Sequence, residues 1–206
     1  MQSLRVLLAP GAGAPSSSPW MRQLSARLEA VGPVTAFDYP YQLRGKRMPD
    51  PLPRLIEAHR KAFEEARAQA AHAWLFAGKS MGSRVGCHLS VELEGSEPRA
   101  LVCFGYPLIG QNGARRDEIL LQLRRPILFV QGTRDPLCPL GDLEQVRARL
   151  DVPNELHVVE GGDHSLDCLK RDLLSRGITQ EVVNAQIDSA VRSFVQRYVL
   201  TSVGTA

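Results

Sequence analysis

The chain has 206 residues, of which 44% are hydrophobic and 23% charged, with a formal net charge of +3. This length and balance suit one domain over residues 1-206 with a well-buried core. They exclude a membrane-spanning protein, since no apolar run approaches the roughly 20 residues a span requires, and a nucleic-acid binder, since no basic patch is interleaved with aromatics.

The first apolar run, Leu4–Ala9, reads as a buried strand, and no signal-peptide pattern of charge and cleavage site precedes it. A cytoplasmic protein is therefore expected. The loop from Ala9 to Pro19 is rich in Gly, Pro and Ser. Its Gly11-Ala12-Gly13 begins a dinucleotide fingerprint, but Ser16 stands where the third glycine or alanine belongs, so no nucleotide cofactor is expected. A helix over Trp20–Ala30 follows, with Trp20, Leu24 and Leu28 four apart, then a strand over Val34–Asp38. Tyr39–Pro53 is a Pro-rich, basic loop (Arg44, Lys46, Arg47), and Leu52–Ala71 is a long helix.

The third strand, Ala73–Ala77, breaks at Gly78-Lys79-Ser80-Met81-Gly82 and opens into a helix over Ser80–Leu93. This is G-x-S-x-G in strand–turn–helix context, the nucleophile elbow. Such a turn holds its serine in a strained conformation, and the flanking glycines let strand and helix approach closely. Gly78-Lys79-Ser80 also matches the tail of a P-loop, but Ala73 occupies the first glycine position and Trp74-Leu75-Phe76-Ala77 suit a strand interior. Gly82 and Gly86 are expected to pack against the sheet. Further strands are expected at Ala100–Gly105, Ile127–Gln131 and Glu155–Val159, with helices at Leu140–Leu150 and about Thr179–Val199. The last helix carries Val182, Val183, Ile187, Val191, Phe194 and Val195 as its buried stripe. Cys87, Cys103, Cys138 and Cys168 show no C-x-x-C spacing and are expected to be free thiols, with no metal site.

Strands alternating with helices imply an open α/β sheet with helices on both faces, whose functional residues gather at the strand C-termini. A serine hydroxyl needs a base within hydrogen-bond reach, and the base needs an orienting carboxylate. Asp135 follows the fifth strand in Gly132-Thr133-Arg134-Asp135-Pro136; His164 follows the sixth in Gly162-Asp163-His164. His59, His72, His88 and His157 lie inside or ahead of elements and fit packing or surface roles. Asp163, beside His164, fits a loop-turn role, and Asp38 comes too early in the chain. The backbone N–H groups of Met81 and Ala12 are the expected oxyanion donors. Gly11, Tyr39 and Tyr106 are expected to border the substrate, and neither Lys79 nor Met81 is assigned a side-chain task.

Together with Leu8-Ala9-Pro10-Gly11-Ala12-Gly13 and Phe37-Asp38-Tyr39-Pro40-Tyr41, these segments make the chain resemble the α/β-hydrolase fold over most of its length. More narrowly, it resembles the small lidless branch that includes dienelactone-hydrolase-like proteins and some subunits of protein complexes. The resemblance implies a mostly parallel sheet of about six strands, lacking the first two antiparallel strands of the full fold, and a Ser80–His164–Asp135 triad. Pro10-Gly11 departs from the His-Gly of many relatives, and Tyr106–Arg125 is too short for a lid domain, so a shallow site bordered by Tyr39–Pro53 and Tyr106–Gly113 is expected. The implied activity is hydrolysis of a small-molecule carboxylic ester, thioester or lactone. The rival readings are an interaction module on the same scaffold and an acyltransferase using the same residues.

Overall fold

The computed structural model describes residues 4–69, 71, 73–95, 97–110 and 113–200. His72 and the part of the Tyr106–Gly113 border at positions 111–112 lie outside them. Six strands form one sheet: β1 (Leu4–Ala9), β2 (Val34–Ala36), β3 (Ala73–Lys79), β4 (Ala100–Phe104), β5 (Ile127–Gly132) and β6 (Asn154–Val159). Their order is β2-β1-β3-β4-β5-β6, and every neighbouring pair is parallel. All six therefore end at one edge, as a sheet wound by helical crossovers requires.

Alternation along each strand divides the core between two layers. Leu7, Phe76, Leu101 and Phe129 face one side, packed by α3 (Leu52–Arg67), α4 (Met81–Glu92) and α5 (Leu140–Arg147). Val6, Leu8, Leu75, Val102 and Val130 face the other, covered by α1 (Pro19–Leu28), α6 (Lys170–Ser175) and α7 (Gln180–Val195). The central strands β3, β4 and β5 are buried throughout and so read as continuous apolar runs. No helix among the described residues is long and apolar enough to cross a membrane.

Several expectations shift. β2 stops at Ala36 because Asp38 turns back to accept a hydrogen bond from the Ser16 amide, 2.6 Å, and Pro40 then starts the one-turn helix α2 (Pro40–Leu43), which the basic character of that loop concealed. Both α2 and α6 are too short to show a 3.6-residue period. α5 ends at Arg147, leaving Leu150 beyond it. Val182 in α7 is 42% exposed, so the buried stripe starts at Val183. Gly86 borders a narrow gap against the sheet with Phe76, Ala77, Leu101 and Cys103, and also meets α3, where an added Cβ would lie 3.4 Å from His59. The four cysteines are free thiols.

Candidate active site

Ser80 caps the end of β3 and the start of α4 with φ 50° and ψ −113°, in the left-handed region where a non-glycine residue is strained by about 1–3 kcal/mol. Its amide donates to the Phe104 carbonyl on β4, 2.9 Å, pinning the turn to the neighbouring strand. The turn closes only because Gly78 and Gly82 lack side chains. A Cβ at Gly78 would stand 2.4 Å from the Ser83 amide nitrogen, and one at Gly82 would stand 2.5 Å from the Ala9 carbonyl oxygen.

Asp135 lies three residues past β5 and His164 five past β6. His164 Nε2 is 2.8 Å from Ser80 Oγ, and its Nδ1 is 2.7 Å from Asp135 Oδ2. The Asp135 side chain is wholly buried, whereas that of His164 is 28% exposed, so the line runs from interior carboxylate to accessible hydroxyl. Asp135 Oδ1 also accepts from the Leu137 amide, 2.9 Å, and Oδ2 accepts from the Gln131 side chain. Burial by itself would raise the Asp135 pKa; the bonds from His164, Leu137 and Gln131 outweigh it and hold the carboxyl below its usual value.

Asp163 turns away from the imidazole and accepts from the amides of Ser165, 2.7 Å, and Asp167, 3.1 Å, shaping the loop that carries His164. His59 is buried against Tyr39, with Nδ1 3.3 Å from the tyrosine hydroxyl, and burial lowers its pKa to about 3. His88 and His157 are half-buried and stand apart from this line on α4 and β6.

The loop after β1 faces Ser80 from the other side. The amides of Ala12 and Met81 meet no backbone acceptor among the described residues, and both residues border the cleft at Ser80. Segment 38–42 holds that loop in shape. Tyr41 Oη donates to the Ala12 carbonyl, 2.9 Å, and Gln42 Nε2 donates to the carbonyls of Gly11, 3.0 Å, and Ala14, 2.9 Å. Gly11 borders the cleft beside His164. Tyr39 and Tyr106 do not: both are fully buried, because their rings complete the core beneath the loops. Tyr39 serves His59, and Tyr106 donates to the Arg116 carbonyl, 2.8 Å.

Lys79 is the residue whose role was least visible in the sequence. Only 8% exposed, it donates from Nζ to the His164 carbonyl and stands 5.3 Å from the centre of the Trp20 ring. Burial lowers its pKa to about 8, a fall that the carboxylates of Asp135, Asp163 and Asp167 partly oppose. Trp20 Nε1 donates to the next carbonyl, Ser165, 2.9 Å, so two side chains clamp the histidine loop. Gly105, with φ 62°, lies beneath it: a Cβ there would be 2.7 Å from the His164 carbonyl oxygen. A lysine ending an otherwise apolar buried strand was the available signal.

Two clefts open at Ser80. The larger, about 500 Å³, extends over Met81, Leu52 and Leu55 toward Arg84 and Arg116. The smaller, about 360 Å³, is bordered by Trp20, Met21, Lys79 and His164.

An all-parallel sheet with a serine elbow after β3, and loops after β5 and β6 that meet it, defines the α/β-hydrolase class. Residues 2–196 match the model of the alpha/beta hydrolase domain family, and the chain belongs to that family. Among solved structures it is similar to the Est1E protein of Butyrivibrio proteoclasticus with ferulic acid bound (TM-score 0.72, 14% identity, 97% of this chain and 90% of that one). It is also similar to a dienelactone hydrolase from Anabaena variabilis (0.68, 16%, 96% and 87%). The thioesterase RedJ of the prodiginine pathway in Streptomyces coelicolor is a third (0.59, 20%, 84% and 84%). At these identities the likeness is one of fold.

Proposed function

We propose that the chain is a serine hydrolase acting on a small carboxylic ester, thioester or lactone through an acyl-enzyme on Ser80. The observation that carries this is the continuous line from Asp135 through His164 to Ser80, with contacts of 2.7 and 2.8 Å. Nothing in simple folding requires a strained serine to meet an imidazole whose other nitrogen faces a buried carboxylate. Neighbours of the same fold named as a dienelactone hydrolase and a thioesterase agree with acyl chemistry.

In the first step Ser80 Oγ attacks the substrate carbonyl carbon while its proton passes to His164 Nε2. Asp135 holds Nδ1 protonated, which leaves Nε2 free to accept, and stabilises the imidazolium that forms. The oxyanion is received by the amides of Met81 and Ala12. Collapse breaks the bond to the leaving oxygen or sulfur, which takes the proton from His164. Water, deprotonated by the same nitrogen, then attacks the acyl carbon and releases the acid and Ser80.

A fluorophosphonate probe tests this directly. The wild-type protein is expected to be labelled at Ser80, and Ser80→Ala to lose both labelling and hydrolysis of p-nitrophenyl acetate. Undiminished turnover by Ser80→Ala would overturn the mechanism. A folded wild-type protein inert to probe and ester alike would favour the interaction-module reading.

A further inference from the structure

We infer that the substrate's acyl chain ends in a carboxylate, gripped by Arg84 and Arg116 in the larger cleft, while the leaving group occupies the smaller cleft beside His164. This rests on the hydrolase reading and adds to it a substrate class and an orientation.

The orientation follows from proton transfer. Both clefts share Ala12, Gly13, Ser80 and Leu137, but only the smaller one is bordered by His164. The group that returns a proton must lie within hydrogen-bond reach of the departing atom. The leaving group therefore points toward Trp20 and Met21, and the acyl chain runs the other way, over Met81 toward Arg84.

The class of acyl chain follows from unmatched charge. Arg84 sits one turn along α4 from Ser80, its amide donating to the Ser80 carbonyl at 3.2 Å. Arg84 and Arg116 are both half-buried, and neither is within ion-pair distance of a carboxylate among the described residues. Further charged side chains here are Arg47, exposed and bordering the larger cleft, and Asp50 and Arg115, which are already paired. Asp50 is held by Arg44 through both oxygens, 3.0 and 2.9 Å, and Arg115 pairs with Asp142 at 3.1 Å and Asp117 at 3.6 Å. Glu118 borders an adjoining depression with the two arginines and forms no ion pair with them. Burial, then the neighbouring Arg116 charge, lowers the Arg84 pKa, the expected cost of holding two like charges together out of water. A carboxylate ligand offsets that cost, and the guanidinium fork suits it. Arg116 is also held in place through its backbone: its amide donates to the Leu108 carbonyl at 2.9 Å, and its carbonyl accepts from the buried Tyr106 hydroxyl.

The four residues from Ser80 to Arg84 rise about 6 Å along the helix axis, a separation that suits a glutaryl-sized chain. Initial rates on monomethyl glutarate and methyl hexanoate, similar in length but differing in terminal charge, provide the test. The wild type is expected to favour the glutarate ester in kcat/KM by at least about tenfold, and Arg84→Gln or Arg116→Gln to lower that ratio by about tenfold or more. Binding of glutarate and of inorganic phosphate to Ser80→Ala, followed by calorimetry, gives a readout free of turnover. Glutarate is expected to bind, and to bind at least about tenfold more weakly when Arg84→Gln is added. A wild-type preference for methyl hexanoate, or a ratio unmoved by both arginine variants, overturns the inference. Tighter binding of phosphate than of glutarate overturns the carboxylate assignment. If neither ester is hydrolysed while glutarate still binds through both arginines, the hydrolase reading fails and the anion site stands.

Discussion

Lys79 donates from its ammonium to the backbone carbonyl of His164, so the residue preceding the reactive serine holds the loop that brings the imidazole to it. The two residues are 85 positions apart, and Trp20 lies against the same lysine. Lys79→Met keeps the apolar stem and removes the donor. It is expected to lower kcat for p-nitrophenyl acetate by about tenfold or more with a smaller change in KM, since a displaced imidazole harms the transition state more than ground-state binding.

The same lysine has a second, pH-dependent signature. Its pKa falls from the ordinary value near 10.5 to about 8 on folding. The unfolded chain therefore binds more protons between those values, and folding stability rises with pH across that window. Below about pH 8 the penalty of a buried ammonium is fully present; above about 10.5 it is gone. Denaturant midpoints at pH 8 and 10 are expected to show wild type gaining on Lys79→Met by about 2 kcal/mol. An equal pH response in both proteins would refute the buried charge.

Asp135→Asn is expected to reduce turnover by about 10⁴-fold, because an amide NH₂ facing Nδ1 forces the proton onto Nε2 and leaves no acceptor for the serine proton. Asp163→Asn is expected to act mainly on loop order. If Asp163→Asn were the damaging change and Asp135→Asn the mild one, the carboxylate assignment would be wrong. Since the Asp135 pKa is held down on folding, its contribution to stability is present above about pH 4 and lost as pH falls through the folded value.

Gly105 and Gly113 both have positive φ, 62° and 75°, so alanine meets similar backbone strain at each. Only at Gly105 would the Cβ also strike the His164 carbonyl, at 2.7 Å; at Gly113 nothing lies within 4 Å. Gly105→Ala is expected to cost more activity than Gly113→Ala by about tenfold or more, measured as kcat on folded protein. Equal effects would mean that backbone strain, not contact with the histidine loop, is the cause.

Gln42→Leu removes two bonds that shape the loop carrying the Ala12 amide. An oxyanion donor is worth about 2.7–4 kcal/mol, so loosening one is expected to lower kcat by about tenfold or more. Circular dichroism should show retained secondary structure, and a drop caused by unfolding would refute the role.

Much of this molecule could be read along the chain. The six apolar runs, the elbow at Ser80 and the order Ser80, Asp135, His164 rest on local quantities: side-chain alternation, helical spacing and turn chemistry within about five residues. The parallel sheet then placed those three positions at one edge. What stayed hidden was set by neighbours distant in sequence. Tyr39 and Tyr106 look like rim residues until the loops fold over them and bury both. Lys79 looks like a solvated cation until β4 and the histidine loop close around it, and Arg84 and Arg116 share a wall only because α4 packs beneath the segment after β4. Periodicity carries the burial of a strand or helix, because that depends on its own pattern. The aim and partners of a side chain at a strand end depend on which crossover lies next to it, and no local stretch of sequence encodes that.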